Sequence, residues 1–162
     1  MRMPLRMLQK IASFSLIAIW NLSAWAGSTA NLNKEGVILN GFDPVSYFKS
    51  NQAEKGNAKF QTKQGDAVYW FVSEANKQAF LKEPSKYEPQ YGGWCAYAVA
   101  DSKSKVDIDP KSFIIQDGKL LVFYNGLWGN TRDKWLHDKK KDPKMYLKEA
   151  DANWVQVKSK EP

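Results

Sequence analysis

Cysteine is nearly absent from this sequence: Cys95 stands alone among 162 residues. An internal disulfide is therefore excluded, and dithiol exchange has no second thiol to work with. Histidine is equally scarce, with His137 the single example. A Cys–His nucleophilic pair would have to join these two, and nothing in the sequence brings them together. Thioether ligands are few as well, because Met1, Met3 and Met7 fall in the leader and only Met145 lies beyond it. G-x-S-x-G, H-E-x-x-H, P-loop and C-x-x-C-H motifs are all missing. Their absence removes the usual hydrolase, metalloprotease, nucleotide and haem signatures. A non-catalytic protein is the expectation.

Long hydrophobic runs are also lacking. The longest apolar stretch, Ile11 to Trp20, is interrupted by Ser13 and Ser15 and falls short of the roughly 20 residues that a membrane span needs. Preceded by Arg2, Arg6 and Lys10 and followed by Ala24-Trp25-Ala26, it reads as a signal peptide over residues 1–26, cleaved near Ala26. The mature protein is then periplasmic or secreted, with no stable transmembrane segment after processing. The chain is basic, at +7 formal charge, and its densest stretch runs from Lys134 to Lys144. An exported protein rarely meets nucleic acid, so no nucleic-acid partner is expected. A solvated helix end accounts for these lysines, with attraction to anionic lipid the functional alternative.

Residues 27–35 are small and polar, which predicts a flexible N-terminal tail. Val37-Ile38-Leu39 suits a short strand. Asp43-Pro44 reads as an N-cap and first helical residue for a turn through Phe48. Lys59–Thr62 and Ala67–Val72 around Gln64-Gly65-Asp66 predict a β-hairpin. Ser73 caps a helix whose buried face carries Ala75, Ala79 and Phe80. A second hairpin joins Phe113–Ile115 to Leu120–Tyr124 through Asp117-Gly118. Trp128, Trp135 and Leu136 recur at helical spacing, and another helix begins near Asp142-Pro143. The class is α+β: a small single domain of short antiparallel hairpins packed with short helices, over residues 36–157, with a C-terminal tail at 158–162.

Four segments stand out together: Gly41-Phe42-Asp43-Pro44-Val45-Ser46-Tyr47-Phe48; Val68 to Asn76 with Phe80 and Pro84-Ser85-Lys86-Tyr87; Tyr91-Gly92-Gly93-Trp94-Cys95-Ala96-Tyr97-Ala98-Val99; and Ala150-Asp151-Ala152-Asn153-Trp154. In this order they resemble YHS-domain proteins of an exported, single-domain branch. The resemblance implies a fold distantly like the TRASH-type metal-binding domains, in which thiols occupy the positions matching Ser46, Val72 and Asn76. None of these is cysteine here. A soft cation such as Cu(I) seeks sulfur, so the family's metal site is not inherited with the fold.

Cys95 is left with three roles: an inert buried thiol, a metal or redox centre, or half of an intermolecular bond. If it holds a metal, a copper or zinc ion is the candidate, with His137 and Met145 as further ligands. Asp43, Tyr47, Trp94 and Tyr97 are the residues expected to line a pocket with it. Asp43 has a competing role as a helix cap, and His137 and Met145 as solvated or packing residues. The functional alternatives are a domain binding a metal or small ligand near Cys95, an interaction module with a decayed metal site and an envelope protein as partner, and a single-thiol redox sensor.

Overall fold

The computed structural model describes residues 28–162, so the leader expected over residues 1–26 lies outside the described residues. The described part is α+β. Helices α1 (Ser46–Lys49), α2 (Glu74–Lys82), α3 (Pro84–Tyr87), α4 (Ala96–Asp101), α5 (Thr131–His137) and α6 (Pro143–Val157) accompany three two-stranded antiparallel sheets. These are β1 (Asn57–Gln64) with β2 (Ala67–Phe71), β3 (Asp109–Gln116) with β4 (Lys119–Phe123), and the short β5 (Asn125–Gly126) with β6 (Gly129–Asn130). Among the described residues no helix is long and apolar enough to cross a membrane.

Strand β4 organises the core. Its side chains alternate between two sides, as a period of two requires. Leu120 and Val122 enter one buried cluster with Val45, Tyr47, Tyr69, Phe71 and Phe80, while Leu121 and Phe123 enter another with Val99, Trp135, Tyr146 and Ala150. All four β4 residues are fully buried. That explains a continuous apolar run in place of an alternating one. Each such side chain contributes about 1.5–3 kcal/mol. The first cluster is built on the β1–β2 hairpin, α1, α2 and α3, and the second on α4, α5 and α6.

Local chemistry accounts for most element ends. Ser73 Oγ accepts the Asn76 N–H at 3.2 Å to start α2, and Asp142 Oδ1 accepts the Met145 N–H at 2.8 Å to start α6, with Pro143 at its first turn. Asp117 and Gly118 turn the β3–β4 hairpin with positive φ at both positions, the conformation that a two-residue hairpin of this type needs.

Four expectations need correction. Val37 to Leu39 form no strand: Val37 makes an isolated parallel bridge to Val68, and Leu39–Gly41 is a 3₁₀ turn. The small, polar Ser28–Asn33 segment is docked, with the Asn31 N–H on the Gly92 carbonyl at 2.8 Å and Leu32 bridged to Ile38. Its small side chains serve close packing over Gly92, where a Cβ would meet Thr29 O at 2.8 Å. Ala75 is exposed, and the buried face of α2 is made by Asn76 and Phe80. Trp128 belongs to no helix and projects from the β5–β6 turn.

Helix α4 is an element that the sequence reading did not contain. Ala96, Val99 and Ala100 lie at helical spacing and are buried against α6. The start of α4 at Cys95 has no side-chain cap. Its last carbonyls are satisfied from outside, by Asn153 Nδ2 on Val99 O at 3.1 Å and Ala100 O at 2.9 Å. Asp151 accepts from the Tyr91 hydroxyl at 2.8 Å and from Lys119 Nζ at 3.1 Å, and Ala150 is fully buried. The Ala150–Trp154 segment thus ties α6 to α4, to the turn at Tyr91 and to β4.

Candidate functional site

The five residues expected around a pocket do not converge. Asp43 and Tyr47 occupy one place, Cys95 and Tyr97 another, and Trp94 a third.

Asp43 is fully buried and ties three chain segments together. Its Oδ1 accepts the Val45 N–H at 2.7 Å. Its Oδ2 accepts the Val72 N–H at 2.9 Å and Asn76 Nδ2 at 2.7 Å. Lys49 Nζ donates to Asn76 Oδ1 at 2.9 Å, so a cation reaches the carboxylate through an amide. Ser46 Oγ donates to Asp43 O at 2.8 Å, with Gln52 O a second acceptor at 2.9 Å. The expected N-cap role is therefore corrected: the first residue before α1 is Val45, and α1 has no side-chain cap. Asp43 closes a local turn and then reaches across the fold. Tyr47 donates to Pro110 O at 2.9 Å and packs edge-on against Phe113. Its burial, with Asp109 and Asp43 nearby, raises its phenol above the usual tyrosine range.

Ser46, Val72 and Asn76 thus surround one carboxylate. The donor set offers a hydroxyl committed to two carbonyls, an apolar side chain and an amide already bonded at both ends. The two Asp43 oxygens are committed to N–H groups. These residues do not fit a copper or zinc ion, which wants thiolate or imidazole donors.

Cys95 has no accessible surface and belongs to the first core cluster. Its Sγ lies 3.3 Å from Thr131 Oγ1 and accepts the Tyr124 N–H at 3.3 Å. Thr131 Oγ1 donates to Tyr124 O at 3.0 Å. The thiol therefore closes a ring: S–H to the threonine hydroxyl, that hydroxyl to the Tyr124 carbonyl, and the Tyr124 N–H back to sulfur. Among the described residues no three His, Cys, Asp or Glu side chains converge on a point. His137 and Met145 are both exposed, which suits a solvated His137 and corrects the packing role expected of Met145, and among the described residues neither joins Cys95 in a metal-ligating cluster. A buried thiol in such a ring should react slowly. Native Cys95 is expected to alkylate on the order of a hundredfold more slowly than in denaturant. Equal rates with iodoacetamide at neutral pH would instead point to an open, reactive thiol.

Above this ring lies a cavity of about 240 Å³. Tyr97, Tyr124 and Trp128 supply aromatic walls, Ala98 and Val106 apolar floor, and Lys134 the rim. Tyr124 and Trp128 are stacked with centroids 6.0 Å apart, and Lys134 Nζ stands 5.7 Å from the Tyr97 ring centre. Burial raises the Tyr97 phenol, with Asp101 the next contributor. Tyr97 itself joins a ladder through Tyr146 and Trp135 to Phe123, with successive centroids 5.4, 5.2 and 5.5 Å apart. The cavity wall is therefore continuous with the second core cluster. Trp94 does not reach it. That ring is buried, and its Nε1 donates to Thr29 O at 2.9 Å.

Sequence reasoning found Cys95 and Tyr97 but missed Tyr124, Trp128, Thr131 and Lys134. The signal for Trp128 was its setting in Asn125-Gly126-Leu127-Trp128-Gly129, a turn with glycine on both sides. Thr131 and Lys134 carried no signal, because only the return of α5 onto α4 brings them to Cys95. Compared with protein-family models, with curated proteins and with solved structures, the chain matches none.

Proposed function

We propose that this chain is an exported, non-catalytic YHS-like domain that binds a small, mostly apolar molecule over Cys95. The observation that carries the reading is the cavity walled by Tyr97, Tyr124 and Trp128. At about 240 Å³ it falls just below the ~300–1,000 Å³ typical of sites for drug-sized ligands, so a single ring or a short chain is the right size. Its apolar walls favour transfer from water, and the closed thiol ring behind them supplies a finished wall without reactive chemistry. The motifs shared with YHS proteins support the family reading, and the Asp43 network supports a fold that has lost its metal.

Titration with benzyl alcohol, followed by amide shifts, tests the reading. Shifts should concentrate at Tyr97, Ala98, Tyr124 and Thr131, and Trp128→Ala should weaken binding about fivefold or more by removing one aromatic wall. Stoichiometric Cu(I) or Zn(II) binding that disappears in Cys95→Ser would overturn it in favour of a metal centre.

The β5–β6 turn favours a second reading. Leu127 is 98 % and Trp128 81 % exposed, so the hairpin offers a hydrophobic finger to an envelope protein partner. Leu127→Ser would then weaken that association while leaving benzyl alcohol binding unchanged.

A further inference from the structure

Resting on the small-ligand reading of the Cys95 cavity, we propose that the ligand is an acid: an aromatic or short apolar carboxylate whose acid group pairs with Lys134. Three aromatic faces could equally suit a quaternary ammonium, and the charges around the cavity decide between the two. Among the described residues Lys134 is the one charged residue lining it, and no carboxylate lines it. Among the described residues Lys134 Nζ makes neither a salt bridge nor a hydrogen bond, although Lys77, Lys86, Lys119 and Lys141 all have carboxylate partners. The acids near this rim act elsewhere. Asp133 lies 3.8 Å from Arg132 Nε, Asp138 accepts from the Tyr146 hydroxyl, and Asp101 and Asp138 are both felt at the Tyr97 phenol without lining the cavity. A bound cation would meet Lys134 and, among the described residues, no carboxylate in the cavity lining. A bound anion would meet a free ammonium held over an aromatic ring at the cavity mouth.

The apolar body of the ligand would lie against Tyr97 and the stacked Tyr124–Trp128 pair, leaving its acid group directed outward to the rim. That orientation follows from the position of the charge. The rest of the lining offers Ala98, Val106, the internally bonded Cys95 and Thr131, and Ser102, whose hydroxyl is paired with Ala98 O and Ser104 Oγ, none of which can neutralise a carboxylate.

The experiment compares phenylacetate with phenylacetamide, which has the same shape and no charge, on the full chain at low salt. Phenylacetate is expected to bind about fivefold more tightly, the scale of one partly exposed ion pair. Lys134→Gln, at an exposed helix position that should leave folding intact, is expected to bring the two affinities together, with both compounds still shifting the Tyr97, Ala98 and Tyr124 amides. Added salt should narrow the difference in the wild type. If both compounds shift the Tyr97, Ala98 and Tyr124 amides with equal affinity, the acid assignment fails and the small-ligand reading stands. If neither compound moves those amides, both fail together. Tighter binding of phenyltrimethylammonium than of phenylacetate would overturn the assignment in favour of an aromatic cage for a cation.

Discussion

Asp43→Ala should destabilise the protein by about 3–5 kcal/mol, among the largest losses available from a single side chain. The substitution leaves the Val45 N–H, the Val72 N–H and the Asn76 amide inside the fold without acceptors. Each orphaned donor costs about 1–3 kcal/mol, and the three costs are not independent because the same cavity serves them all. On a domain of this size the melting temperature should fall by about 10 °C or more. Asp43→Asn should recover only part of this, since an amide must turn an NH₂ toward N–H donors on one side or the other. Thermal unfolding followed by circular dichroism checks both variants. A melting temperature for Asp43→Ala within about 2 °C of wild type would mean that the network contributes little.

Trp135→Ala should cost a similar amount, about 3–5 kcal/mol, for a different reason. Trp135 is fully buried, stacks on Tyr146 and meets Phe123 edge-on, and its Nε1 donates to Gln116 Oε1 at 2.9 Å. Alanine leaves a cavity between α5, α6 and the β3–β4 hairpin. Trp135→Phe keeps most of the aromatic surface and gives up the hydrogen bond, at about 1 kcal/mol for the bond itself plus a smaller void. The ladder links Trp135 through Tyr146 to Tyr97, so the alanine variant should also loosen one wall of the cavity over Cys95. Chemical denaturation should therefore rank Trp135→Ala well below Trp135→Phe, and benzyl alcohol binding should follow the same order. Equal stability for the two variants would show that the bond to Gln116 matters more than the packing.

Much of the secondary structure was legible because its signals are local. Asp117-Gly118 between two apolar runs, Ser73 ahead of α2, and Asp142-Pro143 ahead of α6 act through atoms a few residues away. Helix α4 was not legible, because its start has no side-chain cap and its last carbonyls are satisfied by Asn153, far along the chain. The role of Asp43 was half legible. An aspartate before proline predicts a local turn, and Oδ1 makes it, but Oδ2 is spent on Val72 and Asn76, contacts that no local pattern encodes.

The α+β class, both major hairpins and the lack of thiols at positions 46, 72 and 76 depend on residue identity and short-range spacing, so they can be read from the chain alone, as can the isolation of Cys95. What surrounds that thiol cannot, because it depends on packing between distant segments. Cys95 meets Tyr124 and Thr131 because β4 and α5 pack back against the start of α4, and the same packing places Trp128 and Lys134 at the mouth of the cavity. Hydrogen-bond partners and cavity walls are relations between distant segments. They come into being when burial of the two faces of β4 brings those segments together.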